Sequence, residues 1–376
     1  MNIGIIGGGI GGVAAAVALR QLGIEATIYE RTPALREAGA GMMLWPNATR
    51  VLRELNLLEA VQSRSGPNEQ FLVRTSQGRT LMNIALGEFD VPAVCIRRAD
   101  LLAVLCAAVP GGCIRLGCDL DSLKQDRGKV RVRFKNGFEA AHDAVIGADG
   151  IRSRVRSLLL GEVPPVYRGY MIWRGLARYD GRAIPQGSNS ETWGAGQRFG
   201  ILNTGHGRFT WYAAVNGPED GIDAPRGWKR ELCEMFRHWH QPIGDLLDGT
   251  EHAEILKNPA YDLVPLRRWG SGRVTLLGDA AHPCTPNLGQ GGCMALEDAL
   301  VLAKCLARLS NTEAALRRYE ALRMPRTRHI QQRSRLMGRI GQCENLLVVA
   351  GRHLVTSLLP STLFQYNLRR VYSYEI

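Results

Sequence analysis

Three stretches of this chain place carboxylates beside clustered glycines, a pairing suited to gripping a phosphorylated ligand. In the first, "GIIGGGIGG", Gly7, Gly9 and Gly12 make a G-x-G-x-x-G run, with Gly11 beside them. The first glycine permits a tight turn, the second lets a pyrophosphate approach the backbone, and the third lets helix and strand pack closely. Glu30 follows Gly9 by 21 residues, where a carboxylate accepts the hydroxyls of a ribose. The second stretch, "GADGIRSRVR", sets Asp149 and Gly150 before Ser153 and Arg156. The third, "GDAAHPCTPNLGQGG", sets Asp279 after an apolar run and closes with Gly289, Gly291 and Gly292. It is too polar for a core and too punctuated for a helix, so a ligand must lie against it.

The elements that must position these residues can be read around them. "NIGIIGGG" is an apolar strand, "GGVAAAVALRQLG" an Ala-rich helix that Gly23 closes at C′, and "IEATIYE" a second strand, together a βαβ unit. "NATRVLRELNLLEAVQ" resumes the helical pattern with Asn47 as N-cap. "FLVRTSQGRTLMNIAL" alternates and turns at Gln77-Gly78, and "RADLLAVLCAAV" is helical. "KVRVRFKNGFEAAHDAVIGADG" reads as a strand, an Asn-Gly turn, a second strand and a core strand that ends at Asp149. Between 168 and 216 lie short aromatic strands of a separate antiparallel sheet. "GRVTLLGD" returns to the parallel sheet, and two long helices follow. The fold class is therefore α/β, a Rossmann-like nucleotide-binding domain with an inserted antiparallel-sheet substrate domain and C-terminal helices. The division expected is 1–70, 96–165 and 266–330 for the nucleotide domain, 71–95 and 166–265 for the substrate domain, and 331–376 for a C-terminal helical segment.

Composition bounds the rest. The chain has 376 residues, 45% hydrophobic and 22% charged, as in a soluble globular protein of two closely joined domains. Nine scattered cysteines without a C-x-x-C pair, and no secretion-signal pattern at the N-terminus, suit buried thiols in the cytoplasm. The net charge of +12 suits a solvated basic surface, anionic ligands or a membrane surface. Residues 311–376 hold eleven Arg against four Glu, a local excess of +7. No nucleic-acid recognition motif accompanies this charge, and none is expected to bind. His238 and His240 form an H-x-H pair with no carboxylate or Cys cluster to complete a metal site. Cys284 and Cys293 lack an acid–base partner in sequence and read as packing residues. His282 reads as a residue that positions its loop.

The set "GGGIGG…E", "GADGIRSRVR" and "GDAAHPCTPNLGQGG" resembles the single-component (class A) flavoprotein hydroxylases of the para-hydroxybenzoate hydroxylase fold, from residue 2 to about 345. "WPNATRVL", "WGAGQRFG" and "GRIGQCEN" are most similar to the branch with urate hydroxylase, quinolone hydroxylase, zeaxanthin epoxidase and salicylate hydroxylase. The resemblance implies FAD as cofactor, NADH or NADPH as reductant, O2 as co-substrate, and hydroxylation of a small aromatic or heteroaromatic compound through a flavin C4a-hydroperoxide. It implies that Asp279 holds the ribityl or pyrophosphate region, that Gly289, Gly291 and Gly292 pass beside the flavin ring, and that Pro286 lies near the reacting carbon. Glu30 and Arg31 match adenosine-side contacts, Met43 and Leu120 backbone contacts, and Asp149 a residue serving FAD and the nicotinamide. Arg98 matches the Arg that reaches the pyrophosphate or ribose, with Arg97 as its alternative.

Arg198 matches an Arg near the substrate in the urate-hydroxylase relatives, and an Arg paired within the sheet is the other reading. Those relatives carry a Tyr at Thr210 and an Asp at Asn287, which counts against urate hydroxylase itself. Tyr212 and Trp211 lie on opposite strand faces, so one of them faces the pocket; Tyr212 is taken with Arg198 as catalytic. Trp173 reads as core, with a pocket-wall role as its alternative. Rival activities are epoxidation of an isoprenoid or polyketide double bond, and flavin binding without oxygenation. The tail "ENLLVVAGRHLVTSLLP" is expected to be a helix packed on the FAD domain and broken by Gly351 and Pro360, in preference to a helix on a membrane surface. Oligomeric state is left open.

Overall fold

The computed structural model describes residues 1–35, 40–87, 89–126, 128–219, 227–359, 369 and 371–374. The expected break at Pro360 lies outside the described residues. Five parallel strands form the nucleotide-binding sheet: β1 (Asn2–Ile6), β2 (Glu25–Tyr29), β8 (Ile114–Arg115), β12 (Ala144–Gly147) and β18 (Val274–Leu276), in the order β18-β12-β1-β2-β8. The central strands β1 and β12 are buried on both faces, and each is a continuous apolar run. Helix α1 (Ile10–Gln21) follows β1, and Gly23 ends it at φ +75 with Ile24 N–H closing onto the Leu19 carbonyl.

A small sheet, β3 (Gly41–Leu44), β7 (Ala93–Arg97) and β4 (Gly66–Asn68), sits beside this domain. A hairpin-based sheet, β9 (Leu120–Asp126), β10 (Lys129–Phe134) and β11 (Glu139–His142), carries the Asn-Gly turn. The strict alternation of "KVRVRF" in β10 puts its apolar residues inward and its cations outward.

The large sheet runs β17-β13-β16-β15-β14-β5-β6 and is antiparallel apart from the β14/β5 pair. Its strands are β5 (Gln70–Thr75), β6 (Thr80–Ala85), β13 (Val166–Arg178), β14 (Ser188–Trp193), β15 (Gln197–Asn203), β16 (Arg208–Asn216) and β17 (Leu256–Asp262). The outer face carries Met171, Trp173, Phe199 and Trp211, which pack with α6 (Trp228–Phe236) and α7 (Ile243–Asp248) in one core cluster. The inner face carries Tyr170, Ile172, Tyr212 and Ala214. Trp173 is therefore core, away from the crevice, and Trp211 donates from its indole to Thr250 on that same outer side.

The remaining helices are α2 (Pro46–Glu54), α3 (Leu58–Gln62), α4 (Arg98–Ala107), α5 (Arg154–Leu160), α8 (Gly291–Arg308), α9 (Thr312–Gly341) and α10 (Leu346–Leu358). Two expectations are corrected. Asn47 is not an N-cap: Trp45 holds that position without a capping side chain, and Pro46 starts α2. Asn47 is instead buried, its Nδ2 donating to Gln290 Oε1 (2.9 Å) and Glu297 Oε1 (2.5 Å) of the third motif and α8. Pro at the first helical position replaces a capping side chain because its missing N–H needs no partner. The tail helix is intact across Gly351 and packs on β6 of the large sheet rather than on the FAD domain. No helix among the described residues is long and apolar enough to cross a membrane.

Candidate active site

The three motifs meet at the carboxyl ends of β1, β12 and β18, where ligands bind in sheets of this kind. Gly7 has φ +113, and a Cβ there would lie 2.4 Å from the Ala148 carbonyl oxygen, so this turn accepts only glycine. Gly12 lies against the Gly7 carbonyl within the first motif, while Gly7 against Ala148 and Gly11 against Leu277 set that motif beside the second and the third. Gly9 occupies the N-cap of α1, so the first-turn amides face outward from the turn. Arg156, buried, donates to the Ala280 and Ile151 carbonyls and ties the second motif to the third.

A cleft of about 300 Å³ opens here, lined by Gly7, Gly9, Glu30, Arg31, Leu120, Asp149 and Arg152 among others. Glu30 Oε2 accepts from Gly8 N–H (2.8 Å), and Oε1 accepts from the Thr32 amide and hydroxyl. Leu120 is buried in the cleft wall. Asp149 lines the cleft, yet its carboxylate accepts from Ser153 Oγ (2.5 Å), Arg154 N–H (2.7 Å) and Val155 N–H (3.0 Å) at the start of α5. Burial raises its pKa, and these bonds hold it back. Asp149 thus shapes the loop through the helix start. Arg97 donates from Nε and Nη2 to the Asp100 carboxylate, at 2.6 Å each. Arg98 stands at the first residue of α4.

Asp279 is exposed while Gly278 and Ala280 on either side are buried, so its carboxylate projects from the motif. Gly291 lies beside it: a Cβ there would come within 3.9 Å of Asp279 Oδ1. A Cβ at Gly289 would come within 3.0 Å of the Trp45 indole nitrogen, and one at Gly292 would collide with Met42. Met43 is buried, and its carbonyl accepts from Cys293 Sγ. Trp45 Nε1 and Gln290 Nε2 are buried without a hydrogen-bond partner among the described residues, an arrangement that suits a polar ligand edge beside this loop. The glycine turn, the projecting Asp279 and these two donors fit a long dinucleotide such as FAD. His282 is fully buried and bonded to Asp298 at 2.6 Å, and it positions the loop. Burial pushes the Cys284 thiol well up and the Cys293 thiol up to about 12, so neither is a ready nucleophile.

Above this loop lies the inner face of the large sheet. Arg198 is buried there at 3% exposure and binds three segments at once. Its Nη1 donates to Glu191 on β14 (3.1 Å), Nη2 to Asn287 in the third motif (2.5 Å), and Nε to Gln342 just after α9 (2.8 Å). Asn287 in turn donates to Thr285 Oγ1, the Ser334 carbonyl and Tyr170 Oη. The sheet-paired reading of Arg198 is therefore correct as geometry, and the same guanidinium reaches the third motif. Tyr212 is the inner-face member of its pair with Trp211, with its ring over Gly200. Burial, then the Glu191 carboxylate, raises its phenol well above the ordinary value, so it stays a proton donor and cannot serve as a base. Thr210 bonds the Gly41 amide at 2.8 Å. Arg174, cross-strand from Tyr212, shares this face and has no hydrogen-bond acceptor among the described residues. Burial, then the charge of Arg98, lowers its basicity. Sequence reading missed Arg174, Glu191 and Gln342. Alternation from Tyr170 along β13 would have found the first, and nothing local marks the other two.

The comparisons with known proteins agree with this geometry. A family model described as an FAD binding domain matches residues 1–169 and 232–334. The chain is 38% identical to the aurachin C monooxygenase/isomerase of Stigmatella aurantiaca, over 98% of this chain and 97% of that one. It is 32% identical to the FAD-dependent urate hydroxylase of Klebsiella pneumoniae, over 88% of each. The crystal structure of Klebsiella pneumoniae HpxO with FAD and uric acid superposes with a TM-score of 0.94 at 27% identity, covering 99% of this chain and 97% of that one. With its glycine turn, its projecting Asp279 and relatives matched along nearly their whole length, this chain belongs to the FAD binding domain family and is an FAD-dependent monooxygenase.

Proposed function

We propose that this protein hydroxylates a small aromatic or heteroaromatic compound that carries an acidic oxygen, using NADH or NADPH and O2. The observation that carries the reading is the inner sheet face, which sets Arg198 against the third motif and presents Arg174, which has no hydrogen-bond acceptor among the described residues. A half-buried cation without such an acceptor favours an anionic or strongly polarised partner. The names of related enzymes fit: they act on 6-hydroxynicotinate (31% identical), 3-amino-4-hydroxybenzoate (33%) and urate (32%), all small rings with ionisable oxygens. Asn287 and Thr210, which stand where the urate-hydroxylase relatives carry an Asp and a Tyr, argue for a substrate other than urate.

FAD, when bound, would supply the redox chemistry that links NAD(P)H and O2 to oxygenation of the ring. The chain's own residues do the rest. Glu30 and Arg31 hold the adenosine side, the turn at Gly7 to Gly12 the pyrophosphate with Arg98, and Asp279 the ribityl chain. Gly289 to Gly292 would admit the ring system, and the α8 N-terminus would set the positive end of its helix dipole beside it. Arg198 and Arg174 orient the substrate oxyanion, Tyr212 donates a hydrogen bond, and the apolar patch of Ile172, Ala214 and Ala260 excludes water. The test is a panel of hydroxylated aromatic and heteroaromatic acids screened for substrate-stimulated bleaching of the oxidised flavin by NADH and by NADPH. Products are then checked for one labelled oxygen atom from O2. Stimulation by an acidic ring compound with label incorporation is expected. NAD(P)H oxidation that no compound stimulates, with peroxide as the sole product, overturns the reading.

A further inference from the structure

Helix α10 is amphipathic in the inverted sense. Its buried side carries Val349, Arg352 and Thr356. Arg352 donates to the carbonyls of Ile340 (2.9 Å), Gly341 (3.0 Å) and Gly194 (2.9 Å), and stacks over Trp193. The side turned to solvent is apolar: Leu346 is 73% exposed, Leu347 84%, Leu354 59% and Leu358 71%, with Val348 and Val355 between them. Leu336 and Ile340, one turn apart near the end of α9, are exposed as well. Isolated exposed leucines are ordinary, but a contiguous helical face of them marks an interaction surface.

The charge around this face selects the occupant. Residues 345–359 contain no Asp or Glu, and neither do residues 70–87, which include the β6 edge that α10 packs on. Arg339 in the last turn of α9 and Arg79 in the β5–β6 turn are exposed, and the charge of Arg79 reaches His353 on α10. Glu344, in the α9–α10 connection, is engaged by Asn216 Nδ2 at 2.6 Å. We propose that this face docks on the surface of an anionic lipid bilayer, with α10 lying in the interfacial plane. An apolar helix side with cations at its rim binds such a surface by burial and by electrostatic attraction together. A second copy of the chain would set the same cations of both copies against each other.

The position of the face relative to the pocket gives the docking a use. The last turns of α9 present Gly338 to Asn287 and Gly341 to Arg198, while Leu336 and Ile340 point the other way. The substrate-facing network and the lipid face are thus opposite sides of one helix, about 10 Å across. Docking would bring the Arg198 network within about one helix diameter of the bilayer surface. The docking itself does not rest on the substrate reading.

The experiment is co-sedimentation of the full-length, FAD-loaded protein with vesicles of phosphatidylglycerol and phosphatidylcholine in equal parts, and with phosphatidylcholine alone, at low and high salt. The Leu347→Glu/Leu354→Glu variant is run beside it, with FAD content and melting temperature as folding controls. Wild type is expected on the anionic vesicles. Binding should fall about tenfold or more on neutral vesicles, in high salt and in the variant, whose FAD content and melting temperature match wild type. Absence of binding to anionic vesicles, or binding that the variant leaves unchanged, overturns the proposal. A dimer in sedimentation velocity that the variant splits also overturns it and assigns the face to a second copy.

Discussion

Replacing Arg198 with Lys separates pocket chemistry from scaffolding. The Arg198 guanidinium serves Glu191, Asn287 and Gln342 from three different nitrogens. A lysine ammonium is one point charge and cannot span acceptors set around a planar fork. It keeps the pairing with Glu191 and loses two bonds. Each bond to a charged group contributes about 1.5–3 kcal/mol, so after relaxation the loss is about 3 kcal/mol. For 376 residues, at about 2.1 cal/mol/K of unfolding entropy per residue, that is a drop of about 4 °C in melting temperature. FAD should be retained, because no assigned cofactor contact is touched. The substrate loses one oriented donor, so KM for substrate should rise about tenfold, with more H2O2 per NAD(P)H consumed. Melting temperature, flavin content and peroxide yield are measured on one preparation. A lower melting temperature with unchanged peroxide yield and KM would refute the pocket role and leave Arg198 as scaffold alone.

Asp279→Ala should weaken FAD retention by about tenfold or more, since a charge-assisted acceptor is lost, and Glu30→Ala should weaken it less; flavin released on gel filtration measures both. Asp298 gives a pH prediction. Burial raises its pKa, but His282 and Arg323 outweigh burial and hold it at about 2, below the ordinary carboxylate value of about 3.9. A depressed carboxyl contributes stability above its unfolded pKa and loses it as pH falls from about 4 to about 2, here about 2 kcal/mol. Urea unfolding of the apoprotein across that range should therefore fall more steeply for wild type than for Asp298→Asn, and parallel slopes would count against the pairing.

The nucleotide domain was readable because its signals are local. Ile-rich β1, the glycine turn and Glu30 fall within 30 residues, and Gly7, Gly11 and Gly12 each leave no room for a side chain. Asn47 was misread for the opposite reason. Its local preference for a cap lost to two buried hydrogen bonds with residues 243 and 250 positions away. Arg198 was found from a short motif, yet its partners come from positions 191, 287 and 342, and no spacing rule links them. The tail shows a further limit. The pattern of "ENLLVVAGRHLVTSLLP" suggested a helix packed on the FAD domain and broken at Gly351, whereas the helix runs through Gly351 and Arg352, which satisfies three carbonyls, takes the buried side.

Gln342 shows how the substrate face is held rigid. Its Oε1 accepts from Arg198 Nε (2.8 Å), and its Nε2 donates to Asn216 Oδ1 (2.8 Å) and the Gly196 carbonyl (3.2 Å). The amide thus joins the end of α9 to β15 and β16 and fixes the plane of the guanidinium. A preorganised donor needs no reorganisation when the substrate oxyanion arrives. Gln342→Glu keeps the shape and the acceptor but places a carboxylate against Arg198 and removes the donor to Asn216 and Gly196. The new charge competes with an anionic substrate for the same guanidinium. KM for substrate should rise about tenfold or more, with FAD content and KM for NAD(P)H unchanged, whereas a neutral ring substrate should be much less affected. Gln342→Met, which also loses the donor but adds no charge, controls for the structural part: equal effects of Glu and Met on KM would show that Gln342 only braces the sheet, and that Arg198 does not meet the substrate as a charge.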